Sequence, residues 1–246
     1  MSAPYTFAIP HLVAPGQTVD ISAPMRAPLD PGVYRGNFKL RTDTGVLFGT
    51  GESKNDPFWL EINVQRTKTT FDFVEQACSA QWYSAAGNLP CPGSEGDSRG
   101  LILKLRNPKL EDGSTSNLPG LLTIPQRTQN GYIIGIFPSY RVQNGDRFQS
   151  IVNCESGAED CYVVFTLDYQ TEDNTIHRYW AFVEKYDGIT YQADIDIRSL
   201  TGQDVKFILS VFAVGSADGD RAVWGSPRIV HKSIVPTSTP NPFYIR

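Results

Sequence analysis

The feature that most constrains this chain is a two-residue alternation of apolar and polar side chains that restarts after glycine- or proline-bearing turns. In "VYRGNFKLR", Tyr34, Phe38 and Leu40 fall on one side, with Arg35, Asn37, Lys39 and Arg41 on the other. "FWLEINV" aligns Phe58, Leu60, Ile62 and Val64, and the same period runs through "YVVFTLDY" from Tyr162 and "YQADIDI" from Tyr191. "DVKFILSVFAV" from Asp204 is almost continuously apolar, as a strand covered on both faces is. A period of two gives each strand one buried and one open face. The 21 glycines and 17 prolines spread between these runs supply the turns. The pattern is that of an antiparallel all-β sandwich rather than an α/β fold.

One short helix is expected within it. In "DFVEQACSAQW", Asp72 stands as N-cap with Glu75 three residues on, a capping-box spacing. Val74, Cys78 and Trp82 then share one helical face, which places Trp82 in the core and turns Tyr83 outward. Trp180 alternates with Phe182 and Glu184 and is also assigned to the core. Polar stretches mark two boundaries, "QRTKTT" at 65–70 and the segment after His231. The chain thus divides into residues 1–65, 71–232 and a Pro/Ser/Thr-rich tail, 233–246.

Charge and motifs narrow the function. With 22 basic against 26 acidic residues and a net charge of −4, no basic field exists for nucleic acid or an anionic membrane surface. No apolar run reaches membrane-spanning length. No signal-peptide pattern opens the chain at Met1, so the sequence reads as a mature form or a piece of a longer product. Serine-hydrolase, zinc-protease and P-loop motifs are missing, and "GTGES" at Gly49 lacks a strand–helix context. Asp194 and Asp196 sit two apart on one strand face and look toward water, so no catalytic role is assigned.

Four cysteines form two close pairs, Cys78 with Cys91 and Cys154 with Cys161. Three connectivities exist, of which pairing between neighbours is preferred. Neither spacing suits zinc, and the histidines, His11, His177 and His231, are scattered. Disulfides imply an oxidising compartment and a secreted or cell-surface protein. Each clip is worth roughly 2–3 kcal/mol on the loop-entropy model.

Two resemblances add to this. Residues 12–64, with their PG turn, "PGVYRGNF", the "DTG" turn and "FWLEINV", resemble the second half of the NBR1-type immunoglobulin-like domain, which in bacteria often sits in extracellular proteins. The strands that open that domain, with their tryptophans, lack counterparts here. The chain is then either a fragment, or a partner supplies the missing strands by strand complementation, with "FYIR" at the C-terminus as a strand to donate. Such self-assembly would make the protein a structural subunit of an extracellular filament or surface layer. Residues 180–230 resemble the end of galactose-binding-like jelly rolls of the NPCBM carbohydrate-binding type, matched by Asp220, Trp224 and Pro227. That resemblance implies a buried Trp224, carbohydrate or a cell-surface glycan as ligand, and a structural calcium.

A sugar site needs an aromatic platform and planar donors and acceptors. The candidates are Tyr83, Arg99 in the polar loop "SEGDSRG" (which also offers Glu95 and Asp97), and Tyr140, Arg141 and Asn144 in "FPSYRVQNGDRF". Asp218 and Asp220 are the candidate calcium ligands, with Glu95 and Asp97 supplying further suitable oxygens. The expected protein is a non-catalytic extracellular binding or adhesion module: a partial Ig-like β-sandwich followed by a jelly-roll β-sandwich with a short helix.

Overall fold

A computed structural model describes residues 6, 8–14, 16–21, 25, 32–64 and 67–232. The tail, with its candidate donated strand, and most of residues 22–31 lie outside the described residues. The chain separates into two compact units, the larger being Thr67–Lys232.

In the smaller unit, β1 (Gly32–Phe38) pairs antiparallel with β4 (Phe58–Val64), while β2 (Leu40–Arg41) pairs with β3 (Leu47–Phe48). Register sets Tyr34 against Ile62, Gly36 against Leu60 and Phe38 against Phe58 on one face. That is the apolar face read from the alternation, and Ile62 is half-buried while Phe58 and Leu60 remain exposed. Across the other face the Arg35 guanidinium lies 4.2 Å from the ring centroid of Trp59.

The larger unit is a two-sheet antiparallel β-sandwich. Its strands are β5 (Thr67–Asp72), β6 (Gln81–Ser84), β7 (Gly87–Leu89), β8 (Leu101–Leu105), β9 (Gly120–Ile124), β10 (Tyr132–Arg141), β11 (Asp146–Cys154), β12 (Tyr162–Gln170), β13 (Ile176–Lys185), β14 (Tyr191–Asp196), β15 (Asp204–Ala213) and β16 (Ala222–Lys232). One sheet has the order β13-β12-β15-β10-β6-β7. The other runs β14-β11-β16-β9-β8, and the C-terminal half of β16 also pairs with β5.

Alternation decides what each strand buries. Phe165 and Leu167 of β12, Phe207, Leu209 and Val211 of β15, and Ile133 and Phe137 of β10 point inward. They meet Phe73, Phe148, Val152, Trp224 and Ile229 from the second sheet side. Edge-to-face rings join the layers, Phe165 to Trp224 at 4.8 Å and Phe73 to Phe137 at 4.8 Å. Trp82, Trp224 and, half-buried, Trp180 all pack with the core. On the far side of the second sheet, Leu110 from the long loop after β8 covers Leu101, Leu122, Ile124 and Val223.

The expected helix contracts to one 3₁₀ turn, Glu75–Cys78. Asp72 does bond to the N–H groups of Val74 (2.8 Å) and Glu75 (3.1 Å), but the chain then enters β6, where Trp82 pairs with Gly135 of β10. A single turn gains too few backbone bonds to propagate, and cross-strand pairing takes over. Trp82 is buried as expected, by strand parity instead of a helical stripe, while Cys78 is exposed. The reading of "DVKFILSVFAV" as covered on both faces holds at its centre, where Ile208 and Ser210 are as buried as Phe207, Leu209 and Val211, and fails at Lys206, which is exposed, and Phe212, which is half-buried. Its odd-numbered residues enter the core, and its even-numbered ones form part of the outer face.

Candidate functional site

The outer face of the six-stranded sheet follows from its register. Thr166 lies opposite Ser210, Ser210 opposite Ile134, Ile134 opposite Tyr83 and Tyr83 opposite Asn88, one row across five strands. On one side of this row Val164, Phe212 and Tyr132 are aligned, with the Phe212 and Tyr132 rings 6.0 Å apart. On the other side stand Arg178, Asp168, Ile208, Ile136 and Gln81. Tyr83, Tyr132 and Phe212 are all half-buried, so each keeps part of its ring open. Burial, and secondarily the neighbouring Tyr132, raises the Tyr83 phenol above its ordinary value.

The polar end of this face is held from beneath. Asp168, buried, accepts the Thr166 hydroxyl at 2.9 Å and the Nε–H of Arg178. The Arg178 side chain stays 55% exposed, and its terminal nitrogens make no other hydrogen bond among the described residues. A guanidinium fixed through Nε presents its remaining donors in a plane, the geometry that reads paired oxygens.

At the strand ends of the same sheet lies a cleft of about 540 Å³, lined in part by Arg141, Asp204, Gln203, Glu172, Asp173 and His177. Arg141 Nη1 pairs with Asp204 Oδ2 at 2.6 Å, and the His177 ring stacks on Tyr169 at 5.0 Å. Asp173 is turned back into its own hairpin, accepting the Thr175 N–H at 3.0 Å, and the Thr171 and Thr175 bonds hold its carboxyl below the usual range.

Of the residues chosen from sequence, Tyr83 is on the outer face and Arg141 lines the cleft. Tyr140 faces the core side, bonding to Asp146 Oδ2 at 2.7 Å and lying 2.9 Å from Thr70 Oγ1. Burial first, then the Asp146 carboxylate, push its phenol up to about 12. It therefore supports the β10–β11 hairpin, and Asn144 is exposed at that hairpin's tip. Arg99 folds onto Asp97 of its own loop at 2.7 Å, and Glu95 pairs with Arg221. Asp194 and Asp196 are bound together through Arg147. Arg178, Asp168, Tyr132 and Phe212 were not singled out from sequence. A carboxylate inside the alternating run "YVVFTLDY" was the one available signal.

Asp220 is buried and accepts the Tyr162 N–H at 2.8 Å with Oδ1, while Oδ2 has no donor among the described residues. Burial, with Asp218 nearby, pushes it up to about 6. Asp218 is exposed and bonds to Ser216. The two do not join a group of three ligand-type side chains among the described residues. The group that exists is Glu111, Glu184 and Cys154, and Cys154 is committed to a disulfide. Both sequence-neighbour disulfides form, Cys78–Cys91 and Cys154–Cys161.

Residues 4–64 match the family model of the Ig-like domain from next to BRCA1 gene. No curated protein matches the chain. Among solved structures, one similar chain holds a carbohydrate-binding module in complex with GlcNAc, with INT domains, from Clostridium perfringens ZmpB. It is 17% identical with a TM-score of 0.41, and the match covers 83% of this chain but 38% of that one. A carbohydrate-binding module of the β-sandwich superfamily is 9% identical, with a TM-score of 0.44 and 81% and 74% of the two chains covered. A module in complex with β-1,4-galactotriose is 10% identical, with a TM-score of 0.39 and 65% and 94% covered.

Proposed function

We propose that the Thr67–Lys232 unit is a non-catalytic carbohydrate-binding module of a secreted or surface-attached protein, and that its ligand lies on the outer face of the six-stranded sheet. The observation that carries this reading is the shared face of Tyr83, Tyr132 and Phe212 with Arg178, whose guanidinium the buried Asp168 orients. Sugar rings offer apolar C–H faces and rings of hydroxyls, and this face supplies partly open aromatic surface beside the outward donors of the Arg178 guanidinium, with Thr166 and Ser210 buried between them. Because the polar groups stand on paired strands and not on loops, little ordering entropy is lost on binding. The two disulfides support an oxidising compartment.

Affinity electrophoresis of the full chain through gels holding a panel of polysaccharides, with and without EDTA, tests this. Retardation by at least one polysaccharide is expected, with Tyr132→Ala weakening it about tenfold at unchanged melting temperature. A folded protein that migrates freely through every gel would sink the reading. EDTA sensitivity of the retardation would report a metal in the complex.

A further inference from the structure

The outer face carries a charge balance opposite to that of the whole chain. The chain has a net charge of −4. Register nevertheless puts four cations on this face, Lys185, Arg178, Lys206 and Arg141, against two carboxylates, Asp168 and Asp204.

Both carboxylates are consumed locally, Asp204 by Arg141 and Asp168 by Arg178 Nε. What remains outward is the rest of the Arg178 fork and two exposed lysines. Lys206 makes no ion pair or hydrogen bond among the described residues, and Lys185 makes a single contact there, 5.9 Å from the ring of Tyr162.

We infer that the glycan taken by this face is anionic, a polysaccharide bearing uronate carboxylates that meet Arg178 and, one same-face row along, Lys206. The inference rests on the carbohydrate reading above and adds the ligand's charge. An arginine fork already oriented by a buried aspartate suits a carboxylate, because two parallel N–H···O bonds form with little further ordering. Direction follows from the charges too. The β12–β13 hairpin tip carries Glu172 and Asp173, which repel an anionic chain running along the strands. The ligand therefore crosses them, from Arg178 over Ser210 to the Tyr83–Tyr132 platform. Four inter-strand steps from β13 to β6 span about 19 Å.

The test is affinity electrophoresis of the full chain against polygalacturonate and alginate, each beside its methyl-esterified form. Esterification keeps the sugar and removes the charge. The acid forms should bind about tenfold tighter than the esters, and added salt should narrow that gap. Lys206→Gln, at an exposed position, should lose most of the preference while melting as the parent does, and Lys185→Gln, at the far strand end, should keep it. Arg178→Gln should lose it as well, and the Lys206 variant stands if that change unfolds the sheet.

Equal retardation by acid and ester, or retention by neutral glycans alone, would overturn the anionic assignment and leave carbohydrate binding standing. Equal retardation by duplex DNA would mean a polyanion surface that reads no sugar, and would overturn both. So would free migration through every gel.

Discussion

The carboxyl oxygens of Glu111 and Glu184 lie within 4.8 Å of each other in the interior, and neither side chain forms an ion pair among the described residues. Glu111 accepts the N–H groups of Cys154 (2.9 Å), Gly188 (2.8 Å) and Asp187. It thus holds the end of β11 and the β13–β14 turn together. Glu184 finds no donor for either oxygen. Glu111 is thus the acceptor of three backbone donors, and Glu184 lies beside it with both oxygens unpaired. Two carboxyls fall well short of the oxygens that calcium requires. Burial first, then the charge of Glu111, push Glu184 up to about 8.

A pH dependence follows. Glu184 holds its proton more tightly folded than unfolded, so its stabilising contribution is complete below about pH 4 and is lost as pH rises through 8. Asp220, raised to about 6, loses its own contribution at lower pH, so the window from about 6 to 9 isolates Glu184. Roughly 2–3 kcal/mol should disappear across it. Calorimetry should show the melting temperature of the wild type falling over that window and that of Glu184→Gln staying nearly level. Parallel curves for the two proteins would remove the proton assigned to Glu184.

How much of this was legible beforehand depends on the range of each interaction. Alternation and cysteine spacing are local, so the sandwich and the neighbouring disulfide pairs were readable, while the burial of Trp82 was reached through a helical stripe that the structure replaces with strand parity. Which strands neighbour each other is non-local. β12 pairs with β15 some forty residues on, and nothing in either segment announces it. Arg178 and Tyr83 therefore could not be placed on one face from the sequence. Tyr140 and Arg141 show the same limit at short range. Adjacent residues on a strand point to opposite sides, so one supports the core while the other lines the cleft. A bulge between Ile136 and Ser139 decides which is which, and the sequence gives no sign of it beyond Pro138.

The disulfides should differ in accessibility. Cys154 and Cys161 are fully buried, whereas Cys78 is exposed and Cys91 partly so. A reductant reaches the exposed sulfur without unfolding the sandwich. Mild reduction under native conditions followed by alkylation and mass spectrometry should therefore label Cys78 and Cys91 first. Cys154 and Cys161 should react only near the unfolding transition. Simultaneous labelling of all four would contradict the assigned burial.

Asp146 and the outer-face aromatics should separate stability from binding. Asp146 is fully buried and accepts from Tyr140, from the Gln143 N–H at 2.8 Å and faces His231 Nδ1 at 3.0 Å. Asp146→Ala strips several partners at once and should cost on the order of 3 kcal/mol, while Tyr140→Phe should cost about 1 kcal/mol. Polysaccharide retardation of the folded Tyr140→Phe protein should match that of the parent. Urea unfolding run beside affinity gels would show this, and weakened retardation in Tyr140→Phe would return Tyr140 to the binding site.

The last prediction concerns the contact that fixes Trp82. Its indole Nε1 donates to the Ala77 carbonyl at 2.7 Å, which ties β6 back to the 3₁₀ turn. Its ring lies flat against β10 at Gly135, where a Cβ would come within 2.6 Å of the indole. The backbone at Gly135 is not in the left-handed region, so the demand for glycine is one of space alone. Gly135→Ala cannot be relieved at the tip of a flexible side chain. Either Trp82 turns and loses its bond to Ala77, or β6 moves off β10 and takes Tyr83 with it. An overpacking cost of about 1–3 kcal/mol is expected, with a changed near-ultraviolet tryptophan signal. Trp82→Phe in the same background should recover part of that loss, because the smaller ring relieves the clash. If the pair of changes were as unstable as the sum of the two alone, the Gly135–Trp82 contact would not be what excludes a side chain there.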